Sequence, residues 1–162
     1  MSHGREAITI DWHSSFYGAI AFDLRAEKKI FSFEVEHYLS KQPLRIDLLI
    51  TREYAGYLSN NIIASFFRGV NIVEYKSPED GLSITDLSKT LGYAYLYGGL
   101  ADHVNEIPME ELTVSIFRDS KPEKMFKMLK ERGAIISRRA SGIYEISKLQ
   151  LLPVQIIVTK EL

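Results

Sequence analysis

The chain has no cysteine, which excludes disulfides, thiolate zinc sites and cysteine nucleophiles. A reducing, cytoplasmic setting is the expected one. No apolar run approaches the roughly 20 residues of a membrane span. The start, Met1-Ser2-His3-Gly4-Arg5, has no signal-peptide core behind it. No membrane partner is therefore expected, and residues 1–10 read as a loose terminus. Net charge is almost absent too: 20 basic against 21 acidic residues leaves −1. That argues against coating nucleic acid by bulk charge, while leaving room for a local basic groove. There is no G-x-G-x-x-G or G-x-x-x-x-G-K-[ST] loop, so dinucleotide and P-loop sites fall away. Only five prolines occur, scattered among the elements, and no linker or repeat divides the 162 residues. One domain over 1–162 is expected.

What is present is the material of a packed α/β protein, with 46% hydrophobic residues. Asp11 is placed to cap a helix over 12–25, with Trp12, Phe16, Ala19 and Ile20 as its apolar stripe. Asp23, seven residues after Phe16, falls within about 20° of it. Either the helix frays and Asp23 meets solvent, or Asp23 points into a polar cavity. Period-two alternation predicts a strand over 30–39, with Phe31, Phe33, Val35, His37 and Leu39 on one face. Lys41-Gln42-Pro43 turns the chain into a second strand, 44–51, apolar enough to be buried on both faces. A helix is expected over 53–67, and a third strand over 71–76. A turn at Ser77-Pro78-Glu79-Asp80-Gly81 leads into a helix capped by Ser83 and Asp86 that ends at Gly98-Gly99. A strand over 111–118, a helix from Pro122 to 132 and short strands near 134–137, 143–146 and 154–159 complete the order.

Two features resist explanation as packing. Glu74 and Lys76 alternate with Tyr75 at the end of an apolar strand and share a face. Asp47 interrupts the neighbouring apolar strand. If the strands pair, two carboxylates and a lysine converge, a donor set suited to a hard cation such as Mg2+. Such a cation activates water and stabilises a phosphoryl oxygen. Lys76 beside carboxylates stays protonated, so it is assigned to orienting water and phosphate rather than to general base catalysis.

Asp47 followed by Glu74-Tyr75-Lys76 resembles the D…(D/E)-x-K signature of the PD-(D/E)XK nuclease superfamily. The helix–strand–strand–strand–helix–strand order over 12–118 is similar to that family's core. The resemblance implies a restriction-endonuclease-like three-layer fold, with a mixed central β-sheet flanked by helices. It implies Mg2+ or Mn2+ held by Asp47, Glu74 and the carbonyl of Tyr75, with Lys76 as the catalytic lysine and Asp23 as an acid on the first helix. Lys89 and Tyr93 stand where exonuclease-like members carry Q-x-x-x-Y, and the resemblance gives them substrate phosphate. Both are expected opposite the Leu87/Leu91/Ala94 stripe. The Glu-Tyr-Lys-Ser-Pro-Glu-Asp segment and the Phe16–Ile20 helix also resemble transposase-associated nuclease-like proteins of bacteria. The chain departs from the pattern at Arg45-Ile46, where a proline is usual, and in the long stretch between Asp47 and Glu74.

The expected function is thus divalent-metal-dependent hydrolysis of phosphodiester bonds, of DNA first. A nuclease-fold binding or assembly module that does not cut is the alternative, with Phe66, Phe67 and the tyrosine-rich helix offered to a homodimer. For Glu74 and Lys76 the competing reading is a plain cross-strand ion pair. Glu36 reads as a solvent-facing or rim carboxylate, and His37 as a hydrogen-bonded core histidine. His13 and His103 lack metal-ligand spacing. Residues 118–139 hold eight basic and three acidic side chains, a local excess of five positive charges. That stretch is either a solvated helix face or a contact for a nucleic-acid backbone.

Overall fold

The computed structural model describes residues 11–38 and 45–162. Residues 1–10, the expected Lys41-Gln42-Pro43 turn, and Leu39 and Leu44 lie outside the described residues. Apolar alternation builds β1 (Phe31–Tyr38), β2 (Arg45–Arg52), β3 (Val70–Lys76) and β4 (Leu112–Arg118). It also builds β5 (Ile135–Ala140), β6 (Ile143–Ser147) and β7 (Val154–Val158). All seven join one sheet in the order β1-β2-β3-β4-β7-β6-β5. β1, β2 and β3 run antiparallel, β3, β4 and β7 run parallel, and the β5–β6–β7 side is antiparallel again. The sheet is therefore mixed. Gly142 turns the chain between β5 and β6 at φ 69°, where a Cβ would stand 2.6 Å from the Val158 carbonyl oxygen.

Among the described residues, three α-helices cover the sheet: α1 (Trp12–Asp23), α2 (Ile84–Gly99) and α3 (Glu123–Glu131). Alternation gives each central strand two apolar faces. On one face, α1 sets Phe16 and Ile20 against Leu48, Ile50, Val73, Phe117 and Ile157. On the other, α2 and α3 bring Leu87, Ala94, Met125 and Leu129 onto Ile72, Val114, Ile116 and Ile156. The result is a helix–sheet–helix, three-layer α/β arrangement.

The capping signals act as expected. Asp11 accepts the Ser14 N–H, and Ser83 and Asp86 close a capping box on α2. Three expectations fail. The stretch 53–67 is not a helix: Gly56 takes φ 78°, and the Asn61 side chain accepts the N–H groups of Ile63 and Ala64. An Asn that caps its own neighbours competes with the helical ladder, and only a 3-10 turn, Ala64–Phe66, forms. α1 ends at Asp23 rather than 25, and Leu24 takes the buried position, so the working stripe is Phe16, Ile20, Leu24. Trp12 is left 43% exposed.

The third concerns β1. Phe31 and Phe33 pack on the α1 side, but the His37 ring lies 5.6 Å from Tyr97 of α2, on the opposite side. The change falls at Glu36, whose φ of 52° turns the alternation over. β2 switches at the same level: Leu48 and Ile50 face α1, whereas Ile46 joins the α2-side core. Glu36 and Asp47 sit at this crossing, between the pairs Val35↔Leu48 and His37↔Ile46.

Candidate functional site

The β2–β3 ladder stops at Leu48↔Val73. One residue beyond it, the Asp47 side chain occupies the gap: Oδ2 accepts the N–H of Tyr75 at 3.0 Å. A carboxylate thus takes the place of the main-chain acceptor that a continued ladder would supply. The Gly69 carbonyl accepts from Arg52 N–H on the β2 side, so Gly69, Asn71, Val73 and Tyr75 turn their main-chain groups that way. The Tyr75 carbonyl accordingly faces the same gap as Asp47.

Alternation sends Glu74 and Lys76 to the α2 side and the Tyr75 ring to the α1 side, where it stacks on Phe16 at 4.7 Å. Glu74 is 6% exposed. Lys76 Nζ lies 3.3 Å from Glu74 Oε1 and 3.1 Å from Asp86 Oδ1. Asp86 divides its carboxylate, because Oδ2 accepts from the Ser83 N–H and hydroxyl at 2.9 and 2.6 Å. The tight turn over 77–80, closed by Ser77 and Asp80, folds the start of α2 back over the end of β3.

The electrostatics follow from this layout. Burial pushes the Glu74 carboxyl above its ordinary value; the Asp47 charge adds to the rise, and Lys76 and Lys89 oppose it. For Lys76 burial works against the charged form, yet the hydrogen bond to Asp86 and the attraction of Glu74 win and raise it. Burial likewise works against ionised Asp86, but the Ser83 hydrogen bonds and Lys76 bring it down to about 2. Lys76 is therefore a fixed cation and a poor proton acceptor. The Glu74–Lys76 ion pair exists, but within β3 rather than across two strands, and Lys76 is shared with Asp86 while the charge of Asp47 acts on Glu74.

Of the residues singled out in the sequence, Asp47 bonds the Tyr75 N–H, Glu74 pairs with Lys76, and the charge of Asp47 acts on Glu74. Lys89 is exposed on the adjacent rim, its ammonium 5.3 Å from the Tyr93 ring. Tyr93 does not lie opposite the apolar stripe; it packs against the α2-side core beside it. Asp23 is not part of the group. It is exposed at the last turn of α1, and its Oδ2 accepts from Asn61 Nδ2 at 2.5 Å. Phe16 is the residue that sits over Tyr75, and seven residues of helix carry Asp23 about 10 Å further along the axis. Of the two readings of Asp23, the structure takes the solvent-facing one. Phe67 is 3% exposed inside the α1-side core, and Phe66 lies under Arg139, so the aromatic pair expected at a homodimer face is engaged within the chain. His37 is a half-buried partner of Glu34, at 2.5 Å.

Sequence reasoning misses two residues. Along the chain Asp86 reads only as a cap, and nothing local shows that its second oxygen reaches Lys76. Tyr17 lies on α1 beside Asp47: burial, then the charges of Asp47 and Glu36, push its hydroxyl up, with Arg45 opposing. Its one signal is the spacing to His13, whose ring stacks on it at 6.3 Å.

Among the described residues, no three or more His, Asp or Glu side chains gather as a metal-binding group. The donors near the gap are two carboxylates and one main-chain carbonyl, all oxygen. That set fits a cation of the Mg2+ type, which keeps several of its own waters, and does not fit a soft metal. The basic stretch lies around a separate concavity of about 360 Å³, where Lys121, Lys127, Lys130 and Arg138 stand with Glu123 and Glu131 around Phe126 and Tyr144; Lys121 pairs with Glu123 at 3.0 Å and Lys127 with Glu131 at 4.0 Å. Lys76↔Arg118 and Arg118↔Val158 are paired in the parallel strands, so this groove opens at the same end of the sheet as the site. No described helix is long and apolar enough to cross a membrane.

Comparison with protein-family models gives no match, and neither curated proteins nor solved structures give one.

Proposed function

We propose that this protein hydrolyses phosphodiester bonds of nucleic acid, DNA first, as a divalent-metal-dependent nuclease with a PD-(D/E)XK-like, restriction-endonuclease-like core. The observation that carries this reading is the parting of β2 from β3 at Asp47. It sets the Asp47 carboxylate against the Tyr75 main chain, between the two residues of the Glu74–Lys76 pair along β3. Asp47, Glu74 and the Tyr75 carbonyl would hold Mg2+ or Mn2+. When bound, such an ion lowers the pKa of water and offsets charge on the phosphoryl oxygens. Lys76, held cationic by Asp86 and Glu74, would offer its remaining N–H and its charge to the phosphate. Water would add to phosphorus and lose a proton to solvent as the bond to one sugar oxygen breaks, and that oxygen would take up a proton from solvent and leave as the alcohol. Lys89, on the rim, meets the flanking phosphate.

Purified protein incubated with labelled single- and double-stranded DNA in Mg2+ or Mn2+ tests this. Cleavage that Lys76→Ala abolishes supports it; no cleavage of any substrate with either metal sinks it. A second reading, a nuclease-fold module that binds nucleic acid without cutting, is favoured by one observation. Lys76 is engaged by two carboxylates, which leaves it less free to serve a phosphate. DNA retention with no product would select that reading.

A further inference from the structure

The first turns of α1 carry aromatic side chains that core packing uses only in part: Tyr17 packs half-buried against the α1-side core, while Trp12 and His13 are exposed. Trp12, the only tryptophan in the chain, is 43% exposed although helix periodicity places it in the apolar stripe. His13 is exposed, stacks on Tyr17 at 6.3 Å with 29° between the planes, and meets the edge of Tyr75 at 6.2 Å. Tyr75 in turn donates its N–H to Asp47. His13 and Tyr17 therefore border Tyr75, and through its N–H the Asp47 carboxylate, on the α1 side.

An exposed indole, one residue along α1 from a partly exposed imidazole–phenol stack, is a side chain that water solvates poorly and that flat, apolar faces cover well. The charges acting on the Tyr17 hydroxyl are those of Asp47, Glu36, Arg45 and Asp11, and Arg45 is itself paired with Glu36 at 3.2 Å. Bases within a duplex are stacked on one another and have no free face; bases of a single strand do.

We propose that Trp12, His13 and Tyr17 form a stacking shelf for an unpaired nucleobase, so that the substrate is single-stranded nucleic acid. This rests on the reading of the adjacent gap as a phosphodiester site. The shelf takes the base, and the gap takes its phosphate. Stacking on aromatic side chains does not read sequence, so the preference is for unpaired strands of any base composition.

Because Trp12 is the sole tryptophan, its emission reports the shelf directly. The wild-type chain is titrated in Ca2+, and separately in EDTA, with a 12-mer of thymidine, the matching duplex, and an abasic 12-mer with the same phosphates. Binding is followed independently by anisotropy of a labelled oligomer. The expected result is quenching of Trp12 by the thymidine strand, with the duplex and the abasic strand bound about fivefold more weakly. Trp12→Ala and His13→Ala, both at exposed positions, should keep the melting temperature and each lower single-strand affinity about fivefold. Equal affinity for the duplex, or single-strand binding that leaves Trp12 emission and the two variants unchanged, overturns the shelf while leaving nuclease activity to be judged by cleavage. Quenching and strand preference without cleavage in Mg2+ or Mn2+ would uphold the shelf and overturn the hydrolase reading. Binding of no nucleic acid in either condition overturns both.

Discussion

The Lys76 ammonium and the Asp86 carboxylate are 3.1 Å apart, and the other oxygen of that carboxylate caps α2 through Ser83. The start of a helix and the charge at the end of a strand are thereby held by one side chain. Asp86 is brought down to about 2 from an ordinary 3.8. A carboxylate lowered on folding contributes stability that is present above pH 3.8 and lost as pH falls toward 2. Acid unfolding of the wild type should therefore steepen in that window, and Asp86→Ala should flatten it. Ser83→Ala should cost about 1 kcal/mol at neutral pH, read from denaturant unfolding.

Glu74 has the opposite sign. Its carboxyl is raised above 4.5 by burial and by the charge of Asp47. A raised acid contributes stability that is present below 4.5 and lost as pH rises through its folded value. The melting temperature of Glu74→Gln, whatever its offset from wild type through the lost Lys76 pair, should rise relative to wild type as pH goes from 4 to 7. On the proposed reading, cleavage should fall at least about 100-fold. A difference from wild type that is the same at pH 4 and pH 7 would contradict the pH argument.

At Asp47 structure and chemistry separate. Its Oδ2 accepts the Tyr75 N–H, a bond that Asn can keep and Ala cannot. Asp47→Ala should destabilise by about 1–3 kcal/mol, because the N–H is left without an acceptor. Asp47→Asn should fold nearly as well, yet bind a divalent cation more weakly and fail to cleave. Calorimetric titration with Mg2+ alongside thermal melts distinguishes the two variants.

The groove around Lys127 and Lys130 bears on affinity rather than on chemistry. If a nucleic-acid backbone crosses it, replacing both lysines by Gln should weaken DNA binding for all sequences alike. The slope of log affinity against log salt should shrink by about 1 for each phosphate that is no longer neutralised. An unchanged slope would make this a solvated helix face.

Much of the site is readable along the chain because its members are close in sequence. Strand alternation alone puts Glu74 and Lys76 on one side and Tyr75 on the other, and the cap pattern alone starts α2 at Ser83. The helix–strand–strand–strand–helix–strand order over the first 118 residues is equally legible from its periodicities. The failures come where a local signal meets a competing tertiary one. Periodicity cannot tell that Leu24 would take the place offered to Asp23, since the helix end depends on what the sheet leaves to cover. Nor can it tell that Asn61 would cap its own neighbours and cancel a helix over 53–67, or that Glu36 would turn β1 over.

What the sequence determined by itself is the set of faces: which side chains share a strand surface, a helix stripe or a cap, because spacings of two, three and four residues are set by backbone geometry. What only the tertiary structure decided is where two strands part. Asp47 and Tyr75 are 28 residues apart, and they meet because the β2–β3 register runs out at Leu48↔Val73. Asp86 completes Lys76 because the turn after β3 folds α2 back across its end. Register and strand divergence depend on long-range packing against α1 and α2, and no pattern within a single element records them.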